Sequence, residues 1–493
     1  MSKFEIVMGL EVHVELATKT KIFCGCSTEF GGEPNSHVCP VCMGLPGSLP
    51  VLNKSVVDYA MKAGQALNCD ITRENRFDRK NYFYPDLPKD YQISQLYFPI
   101  CRNGALEFEA GGEPAKIRIH EIHMEEDAGK LVHDAAGTLV DYNRCGVPLI
   151  EIVTEPDFRT ADQVIGFLEN LQQILKYLGV SDCKMQEGSM RADVNLSVRP
   201  VGQEEFGTRT EMKNINSLKA IRRAIEFESQ RQINLIEAGG KVTQETRRWN
   251  DEEGESVAMR SKENAQDYRY FPDPDLLPVS ISEEWYNESL ASLPELPQAK
   301  RQRYVSELGV AADKAAVITA AKELAQLFEG IVATGQDVNE AANVVTGDVL
   351  KLMKEAGLAP EELKIDAEKL AGAIALVTAG KISRKSEKEI IEAIFKDNVD
   401  PETYAKEHNM IVVEDIALIT ETAERVVASY PASIADYKNG KPKAMDFLVG
   451  MCMRELKGKA RPETISGILK EKVDAAPMPE GFENAAPVKD KKA

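Results

Sequence analysis

Residues 9–16 alternate polar and apolar side chains in a way that could support chemistry. Successive side chains of a β-strand point to opposite faces, so Glu11, His13 and Glu15 would emerge together on one face. Two carboxylates and an imidazole on one rigid strand can bind a cation or steer a reacting phosphate. An antiparallel strand with one hydrated face shows the same alternation, so this segment alone leaves both interpretations open.

Further acidic and basic residues lie in segments that also predict strands or turns. Glu125 belongs to a run of three acids, and Glu151 interrupts an apolar run in which an unpaired carboxylate would be costly. Polar-face positions of two other alternating segments add Arg191, Asp193, Glu211 and Lys213. Together these side chains are typical of a metal and phosphate site, in which carboxylates hold Mg²⁺ and Lys or Arg receives the phosphoryl charge. Individually, each is also explained as a salt-bridged or solvated strand residue.

Four of the nine cysteines lie between residues 24 and 42, in two close pairs. One residue separates Cys24 from Cys26, two separate Cys39 from Cys42, and 12 lie between the pairs. Two such pairs can close a tetrahedral thiolate site, which favours structural Zn²⁺ over a disulfide framework. The first pair is more closely spaced than in the usual zinc knuckle, so reduced, buried cysteines are the alternative.

Residues 79–95 and 267–275 interleave tyrosines with charged side chains and prolines. Aromatic rings stack on bases while Lys and Arg meet phosphates, which is how single-stranded nucleic-acid ends are recognised. A proline-fixed loop with tyrosines packed beneath it has the same composition. The sequence contains no P-loop, nucleophile elbow or dinucleotide fingerprint, so any use of ATP requires an unconventional site.

The chain of 493 residues carries a formal net charge of −19, which argues against general nucleic-acid binding. Residues 438–461 are the exception, because they contain seven basic and two acidic residues. Such a patch can select one polyanion while the rest of the protein repels others, but a solvated helix face has the same composition. No apolar stretch approaches the ~18 residues of a membrane span and no signal peptide is evident, so we expect a cytoplasmic protein without membrane contact.

Local patterns predict an α+β N-terminal region followed by an all-helical region. Alternation at residues 116–120 and 190–198 indicates strands of an extensive antiparallel sheet, and a second helix is expected at about 217–237. A first helix is expected to be capped by Asp162, to run through Lys176 and to end at Gly179. Prolines 294 and 297 mark a boundary. Helical runs are predicted beyond it, at residues 301–330, 337–356, 366–379, 384–397 and 412–472.

Six blocks of this sequence, in this order, closely resemble the B-subunit family of tRNA-dependent aspartyl/glutamyl amidotransferases. They are residues 9–13, 79–95, 123–130, 186–195, 211–217 and 267–275. The archaeal E subunits related to this family carry a large inserted domain, and no comparable insertion is found here. The resemblance implies a cradle domain with the kinase and transamidase site (1–293), a helical domain (294–405), a small YqeY-like tail domain that grips tRNA (406–474) and a disordered tail (475–493).

The resemblance also implies a reaction. The B subunits of this family use ATP and Mg²⁺ to phosphorylate the side-chain carboxylate of Asp or Glu misacylated onto tRNA(Asn) or tRNA(Gln), and ammonia then displaces the phosphate. An amidase (A) subunit releases the ammonia from glutamine, and a small C subunit completes the heterotrimer. This is the chemistry of a glutamine-hydrolysing carbon–nitrogen ligase.

Functional positions follow from the resemblance as expectations. The expected catalytic residues are Glu11, His13, Glu125, Glu151, Lys213 and Arg191. The expected Mg²⁺ ligands are Glu11, His13, Glu125 and Glu151, with Asp193 and Glu211 as second-site or outer ligands. Lys213 and Arg191 are expected to bind the transferring phosphoryl group or the ATP phosphates. Contacts with tRNA are expected from Lys441, Lys443, Lys457, Lys459 and Arg461. Members of the family exist without the cysteine quartet, so the structural Zn²⁺ prediction rests on the spacing of Cys24, Cys26, Cys39 and Cys42 alone.

Two other functions compete with this one. The chain could be a noncatalytic tRNA-binding scaffold that presents substrate to the amidase, in which case replacing Glu125 or Glu151 would leave phosphorylation intact. It could also be a zinc-stabilised RNA-binding protein without an enzyme partner, which would purify alone as a stable monomer.

Overall fold

The computed structural model describes residues 3–135, 137–261, 267–412, 416–456 and 460–479. The chain divides into two compact units, Met1–Pro297 and Gln298–Ala493. The first unit mixes strands and helices and the second is helical throughout its described residues, which confirms the predicted α+β class. None of the helices in the described ranges combines the length and the apolar composition that crossing a bilayer requires.

A nine-stranded sheet forms the centre of the first unit, in the order β14-β13-β12-β11-β1-β10-β7-β6-β2. Its neighbours pair antiparallel except for β12 and β13, which are parallel, so the extensive antiparallel sheet that the sequence predicts contains one parallel pair. Three small sheets accompany it: β15-β4-β5, β16-β3 and β8-β9. The strands are β1 (Phe4–Glu15), β2 (Asp70–Ile71), β3 (Glu74–Asn75), β4 (Asp78–Asn81), β5 (Tyr91–Ser94), β6 (Cys101–Ala110), β7 (Glu113–Glu126), β8 (Lys130–Asp134), β9 (Gly137–Asp141), β10 (Pro148–Thr154), β11 (Met190–Pro200), β12 (Thr210–Lys213), β13 (Glu245–Asn250), β14 (Glu255–Ser261), β15 (Phe271–Pro272) and β16 (Val279–Ser280).

The described residues of this unit form four helices: α1 (Lys54–Ala66), α2 (Ala161–Leu178), α3 (Leu218–Glu237) and α4 (Glu283–Ala291). The prediction that Asp162 caps α2 is wrong, because Thr160 accepts a hydrogen bond from the backbone N–H of Gln163 and the Gln163 side chain reciprocates. Gly179 ends α2 in the left-handed conformation, as predicted.

Helices α1, α2 and α3 contact β7, β6 and β11 of the large sheet, and an apolar core fills the space between them. On β1 the core-facing residues Leu10, Val12 and Val14 are at most 1% exposed. The intervening residues of β1 therefore lie on the other face of the sheet. This polar face carries the candidate site described below.

The described part of the second unit consists of helices. They are α5 (Pro297–Ser306, which begins at the division), α6 (Ala312–Thr319), α7 (Lys322–Ala333), α8 (Val338–Asn343), a π-helical turn (Val344–Val349), α9 (Leu350–Ala356), a 3₁₀ turn (Pro360–Glu362), α10 (Ala367–Thr378), α11 (Arg384–Asp397), α12 (Pro401–Glu407), α13 (Ile416–Ser429), α14 (Pro431–Lys438), α15 (Lys443–Glu455) and α16 (Pro462–Ala475). The predicted helical run over 301–330 is therefore three helices. The first break contains Gly309, whose φ of +71° is incompatible with a continuing helix.

Helices α13 to α16 pack around a small apolar core that includes Ile419, Leu448, Ile465 and Leu469. Prolines start α14 and α16, so the predicted run over 412–472 is divided into four helices. Most of the tail predicted to be disordered, residues 480–493, lies outside the described residues, as do Lys457 and Lys459. The division of the whole chain into three domains and a tail stays a prediction.

Candidate functional site

A row of ionisable side chains crosses four neighbouring strands on the polar face of the large sheet. Glu151 of β10 is paired with His123 of β7 on one side and with His13 of β1 on the other. His13 is in turn paired with Arg191 of β11. Since directly opposite residues of neighbouring strands point to the same face, strand pairing alone brings these four side chains together.

The first acidic cluster consists of His13, Glu125 and Glu151. The Nε2 atom of His13 lies 3.4 Å from a carboxylate oxygen of Glu151 and 3.7 Å from one of Glu125. His123 approaches the same two carboxylates, at 3.1 Å from Glu151 and 3.8 Å from Glu125. The Glu125 side chain is almost completely buried, so the cluster concentrates negative charge where water screens it poorly.

The two imidazoles and Glu151 shift one another's protonation. Burial opposes the imidazolium form of His123, but the facing Glu151 carboxylate outweighs it and raises the pKa of His123 well above its usual value. The pKa of His13 is raised by Glu151 against the same desolvation. Burial would raise the pKa of Glu151, yet the two histidines hold it well below its ordinary value. The carboxylates of this cluster are therefore stabilised by a nearby positive charge, which an imidazolium group or a metal cation can provide.

The second acidic cluster consists of Glu11, Asp193 and Glu211, from β1, β11 and β12. The ammonium group of Lys213 lies 2.5 Å from Asp193 and 2.8 Å from Glu211. Burial and the charge of Glu151 raise the pKa of Glu11, while the Asn195 amide donates to its carboxylate at 3.0 Å and lowers it. The structure thus groups Glu11 with Asp193 and Glu211, whereas the sequence reasoning placed it with His13, Glu125 and Glu151.

Both clusters have a geometry that suits a cation. Within each, one ligand atom per residue lies within 4.8 Å of the others. Ligands at about 2.1 Å in an octahedron are neighbours at roughly 3.0 Å, so the 3.4 and 3.7 Å separations around His13 need little adjustment. Next to the second cluster, the Oδ1 atom of Asn195 is buried and accepts no hydrogen bond from the described residues. Carboxylate and amide oxygens are the ligands that Mg²⁺ prefers, whereas the imidazole of His13 is the less usual donor.

A third group lies beside the first cluster, around Asp127. Arg191 donates to Asp127 at 2.9 Å, and its Nε atom is buried without an acceptor among the described residues. Glu15, the last residue of β1, faces Asp127, and burial together with this neighbour raises the pKa of Glu15 to about 8. A cavity of about 650 Å³ is lined by Glu15, Arg191, Arg144 and Asn216 among others. This cavity is large enough for part of a substrate.

Tyrosines from the two aromatic segments lie near the first cluster. Tyr82 and Tyr268 contact edge to face, with ring centroids 5.6 Å apart, and Tyr270 follows at 6.1 Å from Tyr268. The Nζ atom of Lys80 lies 5.1 Å from the centre of the Tyr268 ring. Burial, followed by the charge of Glu125, raises the pKa of both Tyr82 and Tyr270. These rings are half-buried, so the segments are neither plain core nor freely solvated loops.

The four cysteines near the N-terminus form a compact cluster. The sulfurs of Cys24, Cys26, Cys39 and Cys42 all lie within 4.8 Å of one another, and those of Cys39 and Cys42 are 3.9 Å apart. Four sulfurs at about 2.3 Å from a tetrahedral Zn²⁺ are roughly 3.8 Å apart, which fits this separation. A hydrogen bond from Cys24 lowers the pKa of the Cys42 thiol to about 4, and the backbone N–H of Cys39 also donates to the Cys42 sulfur.

Two family profiles match this chain, one within each of its two compact units. Residues 6–287 match the sequence profile described as the GatB/GatE catalytic domain, and residues 326–473 match the profile described as the GatB domain. The chain belongs to the GatB/GatE family. Both acidic clusters, the tyrosines and the cysteine cluster lie within the residues that match the catalytic domain.

Similar proteins match this chain over nearly its whole length. The B subunit of the aspartyl/glutamyl-tRNA(Asn/Gln) amidotransferase of Lachnoclostridium phytofermentans is 59% identical over 478 residues, which are 97% of this chain and 100% of that protein. The proteins of the same name from Caldicellulosiruptor bescii and Thermoanaerobacter pseudethanolicus are 52% and 50% identical. Each of those alignments covers 96% of this chain and 99% of the relative.

The described basic residues of the C-terminal patch have different surroundings. Lys441 is paired with Asp436 at 2.8 Å, and its neighbour Lys443 is exposed at the start of α15. The guanidinium group of Arg461 donates to the carbonyl of Ala379 at 3.2 Å, so it is engaged with the turn after α10. Of these three, Lys443 is exposed and has no ion-pair partner among the described residues.

His123, Asp127 and Asn195 are not among the site residues predicted from the sequence. A signal existed for His123, because it precedes Glu125 by two residues and two residues is the repeat of a strand. Asn195 similarly follows Asp193 by two residues on β11. Asp127 lies just beyond the end of β7, where no periodicity predicts the direction of a side chain.

Proposed function

We propose that this chain is the B subunit of a tRNA-dependent amidotransferase that activates misacylated Asp-tRNA(Asn), Glu-tRNA(Gln) or both. The observation that carries the proposal is the pair of acidic clusters on one sheet face, within residues that match a family catalytic domain. The relatives that match almost the entire chain are named for this activity. The activity makes the chain part of a ligase of protein synthesis.

The proposed chemistry begins with a poor electrophile. An oxygen of the substrate's side-chain carboxylate attacks the γ-phosphorus of ATP, ADP leaves, and the product is an acyl phosphate. Ammonia then attacks the carbonyl carbon, inorganic phosphate leaves, and one proton is lost to yield the amide. The first step brings two anions together, so it needs fixed positive charge and cannot proceed on a face that carries carboxylates alone.

Arg191 and Lys213 are the cations of this face that we assign to the phosphoryl group. The Arg191 side chain lines the 650 Å³ cavity, and its Nε atom has no acceptor among the described residues, so Arg191 can donate to a phosphoryl oxygen. Lys213 is held by Asp193 and Glu211 with about a third of its side chain exposed. The two cations lie on neighbouring strands, β11 and β12.

Metal ligands are assigned to the two acidic clusters. His13, Glu125 and Glu151 would hold one Mg²⁺, and Glu11, Asp193 and Glu211 would hold or orient a second. Magnesium bound with ATP screens the repulsion between the phosphates and the substrate carboxylate. His123 contacts both carboxylates of the first cluster and orients them.

The tyrosines and the basic tail are assigned to tRNA. Tyr82 and Tyr268 offer ring faces beside the first cluster, where the terminal adenosine of an aminoacyl-tRNA or the base of ATP can stack. Lys443 and the neighbouring basic residues of the YqeY-like region would contact phosphates farther from the amino acid. A patch confined to one small region explains how a chain of net charge −19 can use a polyanion.

The relatives are named as B subunits, which supports a multisubunit enzyme for this chain as well. We assign it an amidase partner that releases ammonia from glutamine and a small third subunit, which together make a heterotrimer. The reaction would then take place in the cytoplasm, where aminoacyl-tRNA is used.

The test combines this chain with its amidase and small subunits and measures ADP and amide formation from ATP, glutamine and each misacylated tRNA. Replacing Glu125 by Gln removes one ligand charge and keeps the side-chain shape. We expect formation of both products to fall about 10²–10³-fold. Glu113 lies exposed at the other end of the same strand, and Glu113→Gln should leave both products unchanged.

The noncatalytic scaffold predicts another pattern. If Glu125→Gln formed ADP at the wild-type rate, the chain would not be the phosphorylating subunit. An RNA-binding protein without an enzyme partner would neither assemble with the amidase nor stimulate amide formation. Each of these results would overturn the proposed activity.

We also infer that the cysteine cluster holds structural Zn²⁺. Four thiolates fill a tetrahedral site, so no position is left for a substrate. Elemental analysis of the purified chain should find one zinc, and Cys42→Ser should lose it. Cys69→Ser provides the matched control, because Cys69 lies outside the cluster. A zinc-free wild-type protein that folds normally would contradict the assignment.

A further inference from the structure

Lys21 is a lysine whose side chain is completely enclosed. It is 0% exposed, and it follows β1 in the segment that leads to the cysteine cluster. Its ammonium group donates to the carbonyl of His37 at 2.7 Å and to the carbonyl of Tyr142 at 3.3 Å. The remaining contact is with the sulfur of Cys42, at 3.7 Å. Burying an ammonium group without an opposite charge is costly, so its counter-charge has to be identified.

No carboxylate of the described residues lies within 4.0 Å of the Lys21 ammonium. Two carboxylates line the same small cavity as Lys21, but each is already paired with another cation. Glu126 is bound by Lys89, and Asp275 is bound by Arg79 at 2.8 Å. Carbonyl groups supply dipoles but no net charge. The sulfur of Cys42 is therefore the anion available to Lys21.

A metal held by four thiolates is stabilised by such a neighbour. One Zn²⁺ and four thiolates carry a net charge of −2, and a single enclosed ammonium group halves it. A hydrogen bond to a coordinating sulfur also fixes the orientation of that ligand. The environment of Lys21 is thus what a buried zinc and thiolate cluster requires, and it would be unfavourable beside four neutral thiols.

The same ammonium group joins two separate segments. The carbonyl of His37 belongs to the loop between the cysteine pairs, and that of Tyr142 belongs to the segment between β9 and β10. Further contacts reinforce the join, because the backbone N–H of His37 donates to the Asn143 side chain at 2.8 Å. The Cys145 thiol contacts the carbonyl of Cys42 at 3.5 Å. The segment 142–147 is therefore fastened to the cysteine cluster.

This segment in turn borders the candidate active site. The backbone N–H of Gly146 donates to the carbonyl of Asp127, and that of Asp127 donates to the carbonyl of Val147, both at 2.9 Å. Arg144 donates to the carbonyls of Ala128 and Gly129, also at 2.9 Å. The position of Asp127, and through it of Arg191, thus depends on segment 142–147.

We propose that Lys21 is the internal counter-charge of the zinc and thiolate cluster, and that it fastens segment 142–147 to that cluster. Lys21 is a positioning residue and touches no substrate. This inference rests on the zinc site proposed above and adds that Lys21 supplies the positive charge next to it.

The experiment compares the full-length wild type with Lys21→Met, which keeps the length of the side chain and removes its charge. Zinc affinity is measured by competition with a chromogenic chelator. Loss of a partner next to a metal ligand typically weakens metal binding about 10–100-fold, and we expect a decrease of that size. Lys19→Met is the matched control, because Lys19 is exposed in the same loop and should leave the affinity unchanged.

Cobalt substitution provides a second readout that does not depend on activity or on zinc affinity. A hydrogen bond to a thiolate stabilises its lone pairs, so its loss should shift the sulfur-to-cobalt charge-transfer band of Lys21→Met to longer wavelength. Lys21→Arg retains the charge and should shift the band less. If Lys21→Met folds too poorly to bind cobalt, Lys21→Arg alone still tests the proposal, because it should retain zinc within a few-fold of the wild type.

The possible failures are distinguishable. A wild type that binds no zinc would remove the zinc site itself. A wild type that binds zinc, with a Lys21→Met variant of equal affinity and an unshifted cobalt spectrum, would overturn only the role of Lys21. A Lys21→Arg variant that loses zinc as completely as Cys42→Ser would also overturn it, because charge would then not be the property that matters.

Discussion

Replacing Lys213 by methionine tests the electrostatics of the second acidic cluster. The Lys213 ammonium group lies 2.5 Å from Asp193 and 2.8 Å from Glu211. Breaking a fully buried ion pair costs ~3–5 kcal/mol, because the partner charge is left without compensation. Here 36% of the lysine side chain is exposed, so solvent screening reduces the cost. We expect Lys213→Met to lower the free energy of unfolding by ~1–3 kcal/mol in the absence of divalent cations.

The informative measurement is how Mg²⁺ changes this loss. Without Lys213 the carboxylates of Glu11, Asp193 and Glu211 have more need of a cation, so Mg²⁺ should stabilise the variant more than the wild type. At ten times its dissociation constant a bound ion adds ~1.4 kcal/mol. Thermal and urea unfolding, each with EDTA or with Mg²⁺, provide the comparison. Lys219→Met is the control, because Lys219 is exposed on α3 and should give the same values as the wild type.

The reasoning would be refuted by a Lys213→Met protein that is as stable as the wild type in EDTA. It would also be refuted if Mg²⁺ stabilised both proteins equally. In the assembled enzyme the same variant should lose phosphorylation even where Mg²⁺ restores its stability, because a metal replaces the charge but not a donor to the phosphoryl group.

Three further predictions concern the core, acid stability and tRNA. Phe167 is completely buried against the large sheet, so Phe167→Ala should lower the free energy of unfolding by ~3–5 kcal/mol in urea titrations. The kinetic constants of the folded enzyme should stay unchanged. Burial raises the pKa of Glu228, but the hydrogen bonds that its carboxylate accepts outweigh burial and lower that pKa. The ionised Glu228 therefore stabilises the fold above the unfolded-state pKa of about 4.3, and this stabilisation is lost as the pH falls through the lower pKa of the folded state. Glu228→Gln should therefore flatten the acid limb of a stability curve measured from pH 7 to pH 3. Combined Lys441→Gln and Lys443→Gln should weaken tRNA binding and reduce the salt dependence of the binding constant by about 1–2 units.

The polar face of β1 could be predicted because strand periodicity is a local property. Alternation alone placed Glu11 and His13 on the same face, and the structure confirms it with the buried residues between them. The start of α3, predicted at about residue 217, is confirmed for the same reason, since Ser217 caps the helix by accepting from the backbone N–H of Ala220 within one helical turn. The cap of α2 was missed because Thr160 and Asp162 are both good caps, and only the reciprocal bond with Gln163 separates them.

The grouping of the acidic residues could not be predicted locally. Strand β1 lies between β10 and β11, which follow it by more than 130 residues, and no local pattern specifies that order. The order decides that His13 meets Glu151 on one side, while Glu11 meets Asp193 on the other. Local sequence patterns identify the candidate ligands. Their division between two clusters follows from the long-range pairing of the strands.

The alternation that builds the core also fixes the site. Val12 is completely buried between two polar neighbours, Glu11 and His13, so a shift of β1 by one residue would bury an imidazole and expose a valine. The apolar face therefore determines the register that the proposed site needs, and the acidic residues need not contribute to stability themselves. The acidic residues can therefore stay close together as like charges. Their negative charge is balanced by a bound cation or by a neighbouring lysine or arginine when the substrate binds. Substitutions on the apolar face should accordingly act through stability. Substitutions on the polar face should act mainly on activity, with a stability loss where an ion pair such as that of Lys213 is broken.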